Sequence, residues 1–413
     1  MQSIITILRA AHCRSTHHYF AIDALEALQT AQSKRLASIL LKFHDDYLEG
    51  AKAPDNDFKD FQNHVIHVQQ NNWGGAALAC QEWLGKAREY LDHGNWKKAA
   101  YACGVLSHYF TDPIMPLHTA QSSRETVVHR PLEWSICQSY NEIYSRAKSQ
   151  GLTCDIVLAA DLQWIGKAVV AAAAVANRHY DRLIDLYDLK AGVKNPREGL
   201  NDEAVEILSE LFVLAIQGLS AVLTRLADET VAQLPQMSLT MTSLLATVDM
   251  PLAWIVRKIS DSKERRAVEA VLREYEKTGS LNRNVPAEIV VVEKAMKEQP
   301  DLRMQFGANV STDKLLASVS IVADESSHDS TEERGSSSVA MNSRKLVSVM
   351  IPQEQPVTSA AVPLPRPIRQ AKLQVRLAQK LQKKMGTKIH TIPAQSSQRP
   401  TWRRNQIQAS HSL

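Results

Sequence analysis

One stretch of this chain limits its fold more than any other. Residues 106–118 read Leu-Ser-His-Tyr-Phe-Thr-Asp-Pro-Ile-Met-Pro-Leu-His. His108 and Asp112 stand four apart, so on a helix they share one face and can grip one cation. Pro113 and Pro116 end that helix and turn the chain, returning His118 a short distance away. His129 and Glu133 repeat the four-residue spacing on the next helix. Upstream lie Asp55 in a turn, two histidines in Asn63-His64-Val65-Ile66-His67, and the run Thr16-His17-His18. This mixture of imidazoles and carboxylates suits zinc. Ten of the 14 histidines fall in the first 129 residues, the excess that a metal site built there leaves behind. Taken singly, each pair has a plainer reading. A His-x-x-x-Asp pair is commonly a surface pair, and a lone turn aspartate is commonly an N-cap. Two such pairs around a proline-bracketed histidine, downstream of an aspartate and histidine loop, form a pattern of a different kind.

The scaffold around these residues reads as helix after helix. Apolar residues recur at three- and four-residue intervals in 22–48, 76–91, 96–110, 127–147, 156–186 and 202–226. Turn signals separate them: Pro54-Asp55-Asn56-Asp57, Gly74-Gly75, His93-Gly94-Asn95, Pro113 to Pro116, and Asn195-Pro196. No convincing alternation of strand residues is present, so the expected class is all-α. Residues 1–235 are read as one helical domain, 236–306 as a smaller helical extension, and 307–413 as a low-complexity linker and basic, disordered tail. The tail holds eleven Lys or Arg and no acid from Arg366 onward, with a candidate basic amphipathic helix at 370–384.

Composition bounds the rest. The net charge of +4 is mild and points to no particular partner. Five scattered cysteines without a Cys-x-x-Cys pair argue against a disulfide framework and fit a reducing compartment. No stretch reads as the roughly 20 apolar residues that span a bilayer. The apolar run at the N-terminus is closed early by Arg9 and His12, too short for a signal peptide. The expected location is cytoplasmic, possible contact with a membrane surface included, and secreted only if the true start lies upstream.

The order of these residues resembles the zinc-dependent phospholipases C and the single-strand-specific zinc nucleases that share their fold. That order is a histidine near the N-terminus, a loop aspartate, a histidine, His-x-x-x-Asp with another histidine six residues on, then His-x-x-x-Glu (Asp in the nucleases). Here it is met by His17, Asp55, His64, His108, Asp112, His118, His129 and Glu133, over roughly residues 12 to 145. The resemblance implies a multi-helix domain holding about two to three zinc ions per chain. One ion would take Asp55, His64, His108 and Asp112, and a second His118, His129 and Glu133. A third would share Asp112 and take His17. Asp55 would orient or deprotonate the attacking water, which makes it the candidate catalytic residue. His64 is preferred to His67 because Phe61 stands three residues before it, and His17 to His18 by helical register with Ala21, Ala24 and Leu25.

Two features depart from the family. Secreted members hold the third zinc with an N-terminal tryptophan; no tryptophan precedes His17 here, and His12 or Cys13 are the available substitutes. Members that cleave phosphatidylcholine surround the headgroup with an acid and two aromatics. Phe61 is a candidate substrate-binding aromatic, Asn56 stands at the second aromatic position, and no acid occurs before Asp23. Glu133 in place of Asp leans towards the phospholipases. Trp73-Gly74-Gly75 is either a wall of the site or an aromatic packed at a turn. The function expected is zinc-dependent hydrolysis of a phospholipid or related phosphodiester. The alternatives are a zinc nuclease, a phospholipase D-type activity on glycosylinositol lipids, or a non-catalytic helical protein with structural zinc. In each the basic tail offers contact with anionic membrane or nucleic acid.

Overall fold

The computed structural model describes residues 2–239, 250–306 and 311–323. Eleven helices precede residue 230. They are α1 (Gln2–Ala11), α2 (Thr16–Asp23), α3 (Ala31–Lys42), α4 (His44–Ala53), α5 (Ala76–Asp92) and α6 (Trp96–Thr111), then α7 (Ser123–Ser149), α8 (Trp164–Asn177), α9 (Tyr180–Leu186), α10 (Leu189–Lys194) and α11 (Asp202–Glu229). After them come α12 (Met250–Thr278), α13 (Ala287–Glu298) and α14 (Thr312–Leu316). The all-α class holds, with one small exception. Strand β1 (Thr153–Ile156) pairs antiparallel with β2 (Val319–Val322), matching Thr153 with Val322 and Ile156 with Val319. Thus part of the stretch read as low-complexity linker returns to the helical body. The amphipathic segment proposed at 370–384 and the rest of the basic tail lie outside the described residues.

The longest apolar helix is α11, which is capped by Asn201 accepting from the Ala204 amide at 2.8 Å. By length and composition it could cross a membrane, which the sequence reading did not anticipate, yet 78% of its apolar window is buried inside the protein. It serves as a core helix: Phe212 meets Phe20 and Tyr140 with ring centroids 4.9 and 4.8 Å apart. Two expected helices are broken. The segment 22–48 is interrupted before Thr30, whose hydroxyl caps α3 by accepting from Ser33 N, and again at Phe43. The segment 156–186 begins in β1 and forms a helix only from Trp164. Local hydrogen bonding by Thr30 and by Asp161, which accepts from the Gln163 amide, outweighs the apolar period there.

The packing that matters most for the site is between α4 and α6. Gly50 and Gly104 face the opposing backbones so closely that an added Cβ would lie 2.2 Å from Tyr101 O and 2.1 Å from Tyr47 O. This approach brings His108 Nδ1 within 2.9 Å of the Ala51 carbonyl on α4. From Ala99 to Thr111 every residue of α6 but Tyr101 is buried, so the helix cannot shift without opening the core. Replacing Gly104 by alanine is expected to cost about 1–3 kcal/mol. Thermal unfolding should show this as a fall in Tm of several degrees, and an unchanged Tm would mean that the two helices separate without cost.

Candidate metal centre

The two prolines act as expected. Helix α6 stops at Thr111, and the short 3-10 turns Asp112–Ile114 and Pro116–His118 carry the chain around, each with proline at its start. Asp55 is presented differently from the expected loop. Pro54–Phe58 continues α4 as one π-helical turn, closed by Lys59 N donating to Pro54 O at 2.7 Å with Lys59 at φ 53. Such wider turns re-aim side chains and recur at functional sites. The backbone around His64 is tied to that around His118, since Ile66 N donates to His118 O and Val68 N to Thr119 O, both at 3.0 Å.

These elements bring all eight predicted residues into one region. Asp112 lies at the middle. Its Oδ2 is 2.7 Å from His64 Nδ1 and 3.3 Å from His108 Nε2; its Oδ1 is 3.3 Å from His17 Nε2 and 3.8 Å from His118 Nε2. Asp55 Oδ1 stands 3.7 Å from His64 Nδ1 and 3.6 Å from His108 Nε2. Glu133 Oε1 is 3.2 Å from His118 Nε2 and 3.4 Å from His129 Nε2. Three groups of ligand atoms result: Asp55, His64 and His108; His17, His108 and Asp112; His118, His129 and Glu133.

The alternatives are placed differently. His64 enters the cluster, whereas His67 turns its Nδ1 to the Gln70 side chain at 3.0 Å. His17 faces Asp112, whereas His18 is held by the Leu48 carbonyl at 3.1 Å and accepts from the Arg14 amide. His12 groups with His44 and Asp45, its ring centroid 5.0 Å from that of His44, and the Cys13 thiol meets the His18 carbonyl. Phe61 lines the cavity, with its ring centroid 5.2 Å from that of His64, while also packing against Val65 and Trp73. Asn56 is exposed. Trp134 is core, packed with Val193 and Val268.

The ring nitrogens have defined roles. His108 Nδ1 must donate to the Ala51 carbonyl, which leaves Nε2 as a lone pair facing His64 Nδ1 at 3.2 Å. His129 Nδ1 donates to the buried carboxylate of Glu125, and His129 Nε2, with no hydrogen-bond partner, is aimed at the carboxylates. His17 Nδ1 and His64 Nε2 are also buried without a hydrogen bond. Separations of 3.2–3.7 Å within the groups compare with about 3.4 Å, the edge of a tetrahedron of ligands about 2.1 Å from a zinc ion. By donor type, direction and spacing these residues fit zinc.

Charge balance points the same way. Burial alone would lower His64, but its hydrogen bond to Asp112, the neighbouring Asp60 carboxylate and the charges of Asp112 and Asp55 outweigh this and carry its pKa up to about 10. His118 and His129 are likewise raised against burial, by Asp112 and Glu133 and by Glu133, Glu288 and Glu125 respectively. Burial would raise Asp112, yet His118, His108 and His17 hold it well below the carboxylate range. Burial leaves His17 well below its ordinary value, His18 at about 3 and His67 at about 4. Without an ion, the carboxylates draw protons onto the facing histidines, most clearly onto His64.

Four participants escaped the sequence reading. Glu125 forms the capping box of α7 with Ser122 and at the same time orients His129. Its signal was the Glu-x-x-x-His spacing that precedes His-x-x-x-Glu. Asp60 accepts from Tyr109 Oη at 2.8 Å and stands 3.6 Å from His64 Nε2. Lys52 pairs with Asp55, one turn of α4 away. Glu288 comes from α13, far along the chain, and no local spacing announces it.

Comparison with known proteins bears on the same residues. A family model described as zinc dependent phospholipase C matches residues 16–182, about two-fifths of the chain. Among solved structures, the alpha toxin of Clostridium absonum is similar at 16% identity and a TM-score of 0.39, covering 52% of this chain and 64% of that one. The alpha-toxin of an avian strain of Clostridium perfringens is similar at 16% identity and a TM-score of 0.37, with coverage of 52% and 64%. The chain therefore spans less than two-thirds of the length of either toxin. A search of curated proteins gives no match. Over residues 16–182, this chain is similar to the zinc-dependent phospholipase C family.

Proposed function

We propose that the domain is a zinc-dependent phosphodiester hydrolase of the phospholipase C type, acting on a phospholipid or a related phosphodiester. The observation that carries this reading is the placement of three groups of ligand atoms around one carboxylate, Asp112, along the wall of a cavity of about 440 Å³. A single structural ion would need only four ligands. The Asp112 carboxylate serves two sides, with Oδ2 towards His64 and His108 and Oδ1 towards His17 and His118.

Zinc held there would neutralise phosphoryl oxygens and lower the pKa of a bound water to about 7. The chain's own groups do the rest. Asp55 is the proposed base: its Oδ1 faces His64 and His108, where it can orient a water and take its proton. Lys52, paired with the other oxygen of Asp55, holds an ammonium at the cavity wall that can meet a phosphate oxygen. Glu125 holds His129 in one tautomer, and the Ala51 carbonyl does the same for His108. Phe61 offers an apolar wall to the substrate. Water adds to phosphorus and the glycerol oxygen leaves with a proton, giving the phosphorylated headgroup. We assign about two to three zinc ions per chain. The basic segment beyond Arg366 would add contact with anionic membrane or nucleic acid.

Mass spectrometry of protein purified without an affinity metal should find that zinc, with Asp112→Asn and His118→Ala each losing part of it. Hydrolysis of bis-p-nitrophenyl phosphate should fall at least about a hundredfold in both. Full zinc with no hydrolysis in the wild type would instead favour ions that only staple the fold.

Zinc binding should also release protons. At pH 7 the metal-free protein carries a proton on His64, whose pKa is about 10, and His118 and His129 are shifted in the same direction. An ion must displace such protons. The stability these imidazoliums give the metal-free protein is complete below the unfolded histidine value of about 6.5. It is lost as pH rises through the folded values, and zinc affinity rises in that same window. Titration in weak buffer with an indicator dye should therefore show acidification; zinc uptake without it would contradict the assignment. Removing the carboxylate that orients His129, with Glu125→Gln, should weaken one zinc equivalent about 10- to 100-fold in a chelator competition.

A further inference from the structure

We infer that Glu288 is a fourth protein ligand of the ion at His118, His129 and Glu133, and that α13 thereby closes the coordination position a substrate would need. This rests on the functional reading above only in requiring an ion at that group. Glu288 Oε1 lies 3.2 Å from His129 Nε2, the same nitrogen that stands 3.4 Å from Glu133 Oε1. Both separations match the edge of a tetrahedral zinc site, about 3.4 Å for bonds of about 2.1 Å. His129 Nε2 is buried with no hydrogen-bond partner, while Nδ1 on the other side of the ring is held by Glu125. The buried Nε2 edge of His129 thus faces two carboxylates on different helices, the arrangement of a cation site.

A glutamate just after Pro286, in the first turn of α13, is also favoured by the helix dipole. That preference accounts for the residue type but not for its aim at His129. The aim follows from how α13 is docked. Trp73, buried at 3% exposure, donates its indole N–H to Gln299 O at 2.8 Å, and Gly74 N donates to Leu302 O at 2.7 Å. Gly74 adopts φ +130 there, where a Cβ would lie 2.0 Å from Val65 O. Val65, Trp73, Val292 and Ala295 form one apolar cluster beneath the helix. On the other side, Arg130, next to His129, makes a two-pronged pair with Glu264 of α12 at 2.5 and 2.9 Å. The helices that bring and flank Glu288 lie outside residues 16–182, so the lid is an addition of this chain to the family domain.

Catalytic zinc keeps one position for water, whereas structural zinc is saturated by protein. With an ion bound, the Glu288 carboxylate, already 3.2 Å from His129 Nε2, would turn towards His118 and Glu133 and make the group of three a group of four. Access then requires the Glu288 side chain to rotate away or α13 to lift from Trp73. The test loads wild type, Glu288→Gln and Glu288→Ala with Co²⁺. It reads visible absorption, chelator competition and hydrolysis of bis-p-nitrophenyl phosphate, with circular dichroism to confirm folding. The wild type should show the intense bands of a four-coordinate cobalt ion. Both variants should keep the same number of ions, weaken those bands as water replaces the carboxylate, release one ion to chelator about tenfold more readily, and hydrolyse the probe several-fold faster. Full metal loading with identical spectra and chelator behaviour in all three proteins overturns the role of Glu288 alone. A wild type that binds no ion overturns the functional reading as well.

Discussion

Burying Asp112 is the constraint on which the rest of this structure depends. A carboxylate almost wholly removed from water is costly unless cations or donors face it from every open side. Here four histidines from four segments supply them: His17 from α2, His64 from the loop after α4, His108 from α6 and His118 from the proline turn. The same demand explains why the surrounding backbone is so closely fitted. His108 reaches the centre only because Gly50 and Gly104 let α4 and α6 touch, and that contact also supplies the carbonyl that fixes its tautomer.

Around this centre a gradient of exposure runs outward. Asp112 and His64 are sealed, whereas Glu133, Asp55 and Lys52 keep a quarter or more of their side chains exposed at the cavity. The proposed hydrolysis of a phosphodiester would use that arrangement, with buried groups to fix geometry and partly exposed ones to meet the reacting atoms. The helical extension changes the balance at one end only, because α13 reaches the His118, His129 and Glu133 group and leaves Asp55 to the other. An opening that differs between the two ends would let a long substrate enter at one side.

Much of the helical scaffold was legible because three- and four-residue periodicity reports burial directly. It failed where a polar residue stopped a helix from within, as Thr30 and Asp161 do, since a single side-chain hydrogen bond leaves the apolar period intact. It also failed for β1 and β2, each only four residues long. Their pairing joins distant parts of the chain, and neither strand carries a signal on its own.

At the site, the sequence by itself determined the candidate ligand types, their order, and the pairs one helical turn apart: His108 with Asp112 and His129 with Glu133. Helical geometry makes such pairs neighbours whatever the rest of the chain does. It also placed the turn, because Pro113 and Pro116, three apart, stop the chain from continuing as one regular helix, whereas the single Pro131 is accommodated inside α7. The sequence favoured His64 over His67 and His17 over His18, and the tertiary structure turns the favoured member of each pair towards Asp112. Adjacent or near-adjacent residues differ in direction, and direction depends on which helix is packed opposite. Only the tertiary structure revealed Asp60, Lys52 and Glu288 as neighbours of the cluster. Their contacts arise where separate segments meet, and a contact between distant segments has no spacing to read.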